Sequence, residues 1–301
     1  MSAEFEASRR IQEYLLKIIK EAQKKWETNK VQIETNLECN VPVKDIHKIA
    51  GPFIDEWVCE TFRVAQHKDE HIKKVISKES SSLEDIFISL EIEGKEVDVF
   101  IDVKSASLAK GNNAGKGSNL TSFRKIRPFY VNNPEALFYI LSVEHKNLIK
   151  DDICHGFEMV DCNIFEMKCI VNNELMLNTS MGDQFQIANS MHVTQIDRTT
   201  DEFIRLIDGM FVAKYGQSKL EQVIAEIERQ EKIKKMSYVV YDIIEKYEPI
   251  KKKEILKHLD EEMKDLDKTS KLLTKAISFL RRNGVISIQH RSDYIIFKEE
   301  N

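Results

Sequence analysis

The stretch from Leu83 to Ser107 constrains the fold of this chain more than any other, because it has the pattern of two β-strands joined by a tight turn. Apolar and polar side chains alternate with a period of two from Asp85 to Ile92 and again from Val97 to Lys104. This alternation predicts two strands, each with one buried face. Glu93 and Gly94 lie between them and are predicted to form the turn of an antiparallel hairpin.

The turn sets the register of the hairpin and so decides which acidic side chains meet. In this register Asp85 faces Asp102, and Lys104 follows two residues later on the same face. Directly opposed like charges destabilise a sheet. A divalent cation between the two carboxylates would offset the repulsion, because hard ions such as Mg²⁺ bind carboxylate oxygens.

Two acids and a lysine around one point are suited to phosphodiester hydrolysis. The metal would polarise the phosphate and lower the pKa of a bound water, and the lysine would stabilise the developing charge or position the nucleophile. We therefore predict Asp85, Asp102 and Lys104 as catalytic residues, with Asp85 and Asp102 as the metal ligands and Mg²⁺ as the cofactor.

The second strand, Ile101-Asp-Val-Lys-Ser105, resembles the closing motif of the PD-(D/E)xK nuclease superfamily, in the Asp-x-Lys form of the EcoRV- and BglI-like type II restriction endonucleases. Leu120–Arg124 is also similar to the segment after the lysine in EcoRV-type enzymes. The Pro that usually precedes the first Asp is missing from Leu83-Glu-Asp85.

The resemblance implies an α/β (α+β) fold, in which a mixed sheet flanked by helices contains an αββαβ core. It also implies Mg²⁺-dependent, site-specific cleavage of double-stranded DNA that leaves a 5′-phosphate. Such enzymes are usually homodimers, because a twofold-symmetric DNA site is matched by a twofold-symmetric protein.

In this superfamily the helix before the hairpin often contributes one more acid to the metal site. The apolar periodicity predicts that helix from Lys44 to Val64. The resemblance therefore implies that Glu56 is a further catalytic residue, with Glu60 as the alternative. Asp98 shares a face with Asp102 but lies four residues earlier, and we interpret it as structural.

Two alternative functions fit the same residues. An Asp-x-Lys pair on a strand is commonly a solvated face, so the chain could be a non-enzymatic winged-helix DNA-binding regulator. A nuclease of the same chemistry could instead act in repair or in methylation-dependent restriction. Cleavage that depends on Mg²⁺, compared on modified and unmodified DNA, separates these functions.

The net charge of −5 over 301 residues argues against a protein that coats nucleic acid indiscriminately, but local clusters decide phosphate binding. Between Val103 and Pro134 there is no acidic residue, and several cations and amides occur. We predict that this region contacts DNA. The candidate contacts are Lys110, Asn112, Asn113, Lys116, Arg124 and Lys125. Farther along, the amides of Gln184, Gln186 and Asn189 could read adenine, although they are equally typical of an ordinary polar strand.

The chain is predicted to contain two domains, a nuclease domain over residues 1–235 and a winged-helix DNA-binding domain over residues 236–301. The second has the pattern of three helices followed by a hairpin. Its third helix, capped by Thr269 or Ser270, would face a DNA groove, with Arg291 at the tip of the wing. The candidate contacts on that helix are Lys268, Ser270, Lys271 and Lys275.

Other segments lead to simpler expectations. We predict helices over 4–36, 200–214 and 218–235, a helix from Ser118 through Phe123 to Tyr130, strands over 157–165 and 166–171, and a loop over 68–82. No apolar run approaches the roughly 18 residues of a membrane span. The five cysteines lack Cys-x-x-Cys spacing, as in a reduced cytoplasmic protein, and Cys154, His155, Cys162 and Cys169 are poorly spaced for zinc.

Overall fold

The protein was analysed as a computed structural model. The structure describes residues 1–25, 28–33, 47–78, 82–108, 117–150, 153–247, 250–251, 254–255, 257–259, 270–283, 285–289 and 293–296. The chain divides into two compact units, Met1–Gly216 and Gln217–Asn301. The boundary predicted between residues 235 and 236 falls inside a continuous helix, so the structure puts the division nearer the N-terminus.

The first unit is built on a six-stranded mixed sheet in the order β1-β7-β6-β4-β3-β2. These strands are β1 (Lys30–Gln32), β2 (Ile72–Ser77), β3 (Ile86–Ile92), β4 (Lys95–Ser107), β6 (Leu137–Lys150) and β7 (Ile153–Glu166). A smaller sheet has the order β5-β9-β8, from β5 (Ser118–Ser122), β8 (Leu175–Asn178) and β9 (Gln184–Ile187). The helices are α1 (Ala3–Lys24), α2 (His47–Gln66), α3 (Phe123–Asn132) and α4 (Thr200–Tyr215).

The β3–β4 hairpin confirms the predicted turn and register. Glu93 has a φ of 53° and Gly94 a φ of 75°, and two successive left-handed residues match the twist of an antiparallel hairpin. The strands pair antiparallel, with Ile92 opposite Lys95 and with the facing rings of Phe87 and Phe100 5.4 Å apart. Strand β4 then pairs in parallel with β6, which completes the predicted αββαβ order α2-β3-β4-α3-β6.

Helices cover both faces of the sheet because both faces are apolar. On one face, buried residues such as Val99 and Ile101 of β4 form a core with Leu15 of α1 and Phe62 of α2. On the other face, aromatic rings pack in sequence from Phe100 through Phe129 of α3 to Phe138 of β6, at centroid distances of 5.0 and 5.2 Å. The fold is therefore the predicted α+β arrangement.

The first helix is shorter than predicted. Helix α1 ends at Lys24, and β1 begins at Lys30. The indole Nε1 of Trp57 donates a hydrogen bond of 2.6 Å to the carbonyl of Thr28, which ties this segment to α2. The prediction of a helix to residue 36 was wrong because pairing with β7 outweighed local helix propensity.

Three further segments differ from the predictions. Ile72–Ser77 forms the edge strand β2, where a polar loop was predicted, because it pairs with β3. Ser118 lies in β5, and α3 begins at Phe123 after the N-cap residue Ser122. Met167–Cys169 is a 3₁₀ helix, where a strand was predicted.

No helix of the described residues is long and apolar enough to cross a membrane. Cys59, Cys154, Cys162 and Cys169 are buried free thiols. Cys39 lies outside the described residues.

The second unit combines a long helix with a small sheet. Helix α5 (Gln217–Tyr247) joins into one element the helix predicted over 218–235 and the first helix predicted for the second domain. Helix α6 (Ser270–Arg282) follows, and the three-stranded sheet has the order β10-β12-β11. Its strands are β10 (Ile250–Lys251), β11 (Ile286–Gln289) and β12 (Asp293–Ile296). The predicted third helix and hairpin are present, and the identification as a winged helix stays a prediction.

Gly156 of β7 permits a close approach of β1 and offers a test of this edge of the sheet. Its φ is 139°, and a Cβ atom there would lie 1.9 Å from the carbonyl oxygen of Val31. We expect Gly156→Ala to disrupt the β1–β7 pairing and lower the free energy of unfolding by about 2–3 kcal/mol in a denaturant titration.

Gly209→Ala is the matched control, because Gly209 lies inside α4 and an added Cβ atom there would meet nothing within 4 Å. It should raise the free energy of unfolding by about 0.5–1 kcal/mol, since alanine favours a helix. Equal stability of the two variants would contradict the close approach at Gly156.

Candidate active site

Asp102 of β4 is the buried acid at the end of the hairpin. The residue is 4% exposed, and its Oδ1 accepts a hydrogen bond of 2.5 Å from the Lys104 Nζ. Its other oxygen, Oδ2, is buried without a hydrogen-bond partner. Burial raises the pKa of Asp102 to about 7, the Lys104 ammonium lowers it, and the nearby Asp85 carboxylate raises it again.

Asp85 lies just before β3, at the point where that strand stops pairing with β4. Its backbone N–H donates to the Ile101 carbonyl at 2.9 Å, and its Oδ2 accepts from the Val103 N–H at 2.7 Å. These bonds continue the hairpin by one residue, so the Asp85 side chain lies beside Asp102 as predicted. Coulombic repulsion from the Asp85 carboxylate contributes to the raised pKa of Asp102.

Asp55 of α2 is the third acid of this cluster, and the sequence reasoning missed it. Burial raises its pKa to about 7, with further contributions from Asp85 and Asp102 that raise it and from Lys104 that lowers it. These couplings indicate that Asp55 lies on the side of α2 that faces the two acids of the hairpin and the lysine. The cluster formed by Asp55, Asp85, Asp102 and Lys104 is called the carboxylate cluster below.

The structure does not bring Glu56 to the carboxylate cluster. Its side chain is 60% exposed, and Oε1 accepts a hydrogen bond of 2.8 Å from Arg63. Glu60, the alternative, is 3.8 Å from the same guanidinium. Both residues line a groove of about 600 Å³ between α1 and α2. The structure therefore separates Glu56 from the carboxylate cluster, whereas its neighbour Asp55 is coupled to it.

The remaining acids of the hairpin have other partners. Glu96 Oε1 accepts a hydrogen bond of 2.7 Å from Ser89, and Glu91 pairs with Lys73 at 3.2 Å. Burial raises the pKa of Asp98, and Glu96 raises it further. The structural role of Asp98 stays a prediction.

The carboxylate cluster suits a hard cation, although it is not a preformed cage. Among the described residues, no group of three or more His, Cys, Asp or Glu side chains is arranged to hold a metal ion as it stands. The unpartnered Asp102 Oδ2 and the adjacent Asp85 carboxyl nevertheless leave negative charge that a cation would neutralise. The donors are all oxygen atoms, which favours Mg²⁺ over softer metals.

A match to a known protein family identifies the family of this chain. A sequence model described as type II restriction endonuclease HpaI matches residues 2–232. The chain belongs to the HpaI family of type II restriction endonucleases. The matched region contains the whole carboxylate cluster, and residues 233–301 lie outside it.

Individual relatives agree with the family assignment. The type II restriction enzyme HpaI of Haemophilus parainfluenzae is 30% identical over 221 residues, which cover 70% of this chain and 86% of the relative. The solved NlaIV restriction endonuclease covers 74% of this chain and 88% of its own, at 14% identity and a TM-score of 0.42. That score is too low to support an argument. As a member of this family, the protein is a site-specific deoxyribonuclease.

The predicted DNA contacts of the restriction endonuclease fall into two groups. Arg124 and Lys125 are exposed in the first turn of α3, and Lys125 Nζ donates to the Ser82 carbonyl at 3.3 Å, three residues before Asp85. Lys275 is half-buried on α6, a helix that begins at Ser270 and Lys271. The rest lie outside the described residues, namely Lys110, Asn112, Asn113, Lys116, Lys268 and Arg291.

The raised pKa of Asp102 predicts that the stability of the folded protein depends on pH. The folded enzyme holds this proton up to about pH 7, whereas an ordinary aspartate loses it near 3.8. Stability from this group is therefore complete below about pH 4 and is lost as the pH rises to 7. We expect Asp102→Asn to raise the midpoint of thermal unfolding at pH 8 by a few degrees in EDTA, with a smaller gain near pH 5.

Glu93→Gln is the control for this substitution, because Glu93 is exposed in the hairpin turn. It should leave the unfolding midpoint unchanged at both pH values. A lower midpoint for Asp102→Asn at pH 8 would contradict the repulsion within the carboxylate cluster.

Proposed function

We propose that this enzyme hydrolyses double-stranded DNA at a specific site with Mg²⁺, by the chemistry of the PD-(D/E)xK nucleases. The observation that carries the proposal is the carboxylate cluster, in which Asp85, Asp102 and Lys104 lie together where β3 ends beside β4 and Asp55 of α2 is electrostatically coupled to them. Methylation-dependent and repair nucleases share this chemistry, but family membership favours restriction.

Asp85, Asp102 and Asp55 would hold the Mg²⁺ ion. When bound, it supplies a Lewis acid that polarises the scissile phosphate and acidifies a water molecule. Like charges in one site raise each other's pKa. A bound cation would neutralise the three carboxyl groups, which explains why the cluster can contain the buried Asp102.

Lys104 would act on the substrate side of the cluster. Its side chain is 26% exposed, and its ammonium is held 2.5 Å from Asp102 Oδ1, which fixes its position. From there it would orient the attacking water and stabilise the negative charge that develops on the phosphate oxygens. The water oxygen forms a bond to phosphorus as the bond to the 3′ oxygen breaks, which leaves a 5′-phosphate and a 3′-hydroxyl.

We propose a homodimer as the active form, because a palindromic duplex site presents the same half-site twice. In the second unit, we propose that the residues from 236 onward form a winged helix that contacts DNA through α6. The described order of helix, strand, helix and hairpin supports this proposal.

The choice between Asp55 and Glu56 provides the sharpest test of the active site. We expect Asp55→Asn to lower the rate of Mg²⁺-dependent cleavage of phage DNA by about a hundredfold or more, because it removes one acid from the cation site. Glu56→Gln is the adjacent control and should cleave at the wild-type rate. Fragment bands on a gel, with EDTA as the blank, give the measurement.

The activities of the two variants decide which of the two acids belongs to the active site. Equal activity of Asp55→Asn and the wild type would remove Asp55 from the site, and a loss confined to Glu56→Gln would restore the acid carried over from the superfamily. A wild-type enzyme that cuts neither modified nor unmodified DNA with Mg²⁺ would count against the proposed function.

The proposed role of α6 predicts a change in salt dependence. We expect Lys275→Ala to weaken binding to all duplex sequences alike and to reduce the slope of log affinity against log salt by about 1. Lys219→Ala removes the same charge from an exposed position of α5 and should leave the slope unchanged. An unchanged slope for Lys275→Ala, measured by fluorescence anisotropy in Ca²⁺, would contradict a phosphate contact.

A further inference from the structure

We infer that the solvent-facing side of the β5-β9-β8 sheet reads an A·T base pair in the major groove of the recognition site. The inference rests on the proposed function, since it needs a duplex DNA substrate. This surface is called the amide face below. It consists of Asn119, Ser122, Met176, Asn178, Gln184 and Gln186.

The strand register brings these six residues into two rows. Gln186 of β9 lies between Asn119 of β5 and Met176 of β8. The second row has Gln184 at its centre, with Ser122 and Asn178 as its partners. The alternate rows, which contain residues such as Phe185 and Ile187, point inward and are buried.

The amide face has an unusual composition for a surface that meets water. None of its six residues is charged, whereas charged residues normally make up much of a protein surface. Met176 is 49% exposed, and Asn119 is exposed beside it in the row. Such a surface has no positively charged side chain that could bind a phosphate, but its amide groups match the hydrogen-bonding edges of bases.

The hydrogen bond within the first row leaves a donor and an acceptor that can bind adenine. Gln186 Nε2 donates to Asn119 Oδ1. The Asn119 amino group and the Gln186 carbonyl oxygen make no other hydrogen bond to the described residues, so the pair presents an amino donor beside a carbonyl acceptor. Adenine offers the complementary N7 acceptor and N6 donor, whereas guanine offers two acceptors.

Met176 adds an apolar group to the same row. A thymine carries a methyl group in the major groove, and apolar side chains distinguish it from cytosine by contact. A row with a donor, an acceptor and an apolar end thus fits an A·T pair better than a G·C pair.

The amide face is fixed relative to the carboxylate cluster by short connections. Strand β5 leads directly into α3, where Lys125 bonds to the Ser82 carbonyl near Asp85. The Phe123 N–H donates to the Asp183 carbonyl at 2.9 Å, which ties the start of β9 to the same helix. Arg124 and Lys125 therefore place cations for phosphates beside a neutral surface for bases.

A β-bulge shapes this connection. Leu120 and Thr121 of β5 together oppose the single residue Phe185, between the pairs Asn119–Gln186 and Ser122–Gln184. Bulges bend a strand and redirect its side chains, and they are frequent next to active sites. Here the bulge keeps both Asn119 and Ser122 on the amide face although they are three residues apart.

The test combines base analogues with a protein variant. The cut site is first mapped by sequencing fragment ends from the wild-type enzyme with Mg²⁺. Duplexes are then made in which each adenine of that site is replaced in turn by 7-deazaadenine, which lacks the N7 acceptor. We expect at least one replacement to lower the wild-type kcat/KM about tenfold or more.

Gln186→Ala should lower kcat/KM on the unmodified site by about ten- to a hundredfold and should lose its response to that same replacement. Asn173→Ala, which removes an exposed amide from the turn before β8, is the matched control and should behave as the wild type. Thermal unfolding and Mn²⁺ affinity without DNA should be unchanged in both variants.

Two results would overturn the inference while leaving the proposed function intact. One is a Gln186→Ala enzyme with wild-type kcat/KM. The other is a variant that responds to every 7-deazaadenine replacement as the wild type does. Absence of any cleavage by the wild-type enzyme would instead reject the proposed function itself, and the base-reading role with it.

Discussion

The left-handed turn at Glu93-Gly94 is the constraint on which the carboxylate cluster depends. Side chains alternate along a strand with a period of two, so a slip of one residue would turn Asp102 and Lys104 to the opposite face of the sheet. The turn prevents that slip because only one register closes a two-residue loop with both residues at positive φ. The bond from the Val103 N–H to Asp85 then secures the open end of the hairpin.

Features determined by near neighbours in the chain were predictable from sequence. The hairpin, its turn and the pairing of Asp85 with Asp102 all follow from alternation over some twenty residues. The end of α1 and the edge strand β2 did not follow, because each is decided by a distant partner, β7 in one case and β3 in the other. The helix boundary at Phe123 depends likewise on pairing between β5 and β9.

The missed Asp55 could have been found from helical periodicity. It lies three, four and seven residues before the buried Val58, Cys59 and Phe62, so it belongs to the inward stripe of α2. Glu56 is spaced four and seven residues from Glu60 and Arg63, which form the outward stripe. An acid on the buried stripe of a helix needs a partner or a function, and this criterion separates the two carboxylates without a structure.

The six-stranded sheet ends on both sides in short strands that carry lysines. Strand β1 begins with Lys30 and has three residues, and β2 contains Lys73 and Lys74. Lysines on short edge strands oppose the addition of another strand. In the proposed homodimer the two copies are therefore expected to meet through helices or loops, so that their sheets stay separate.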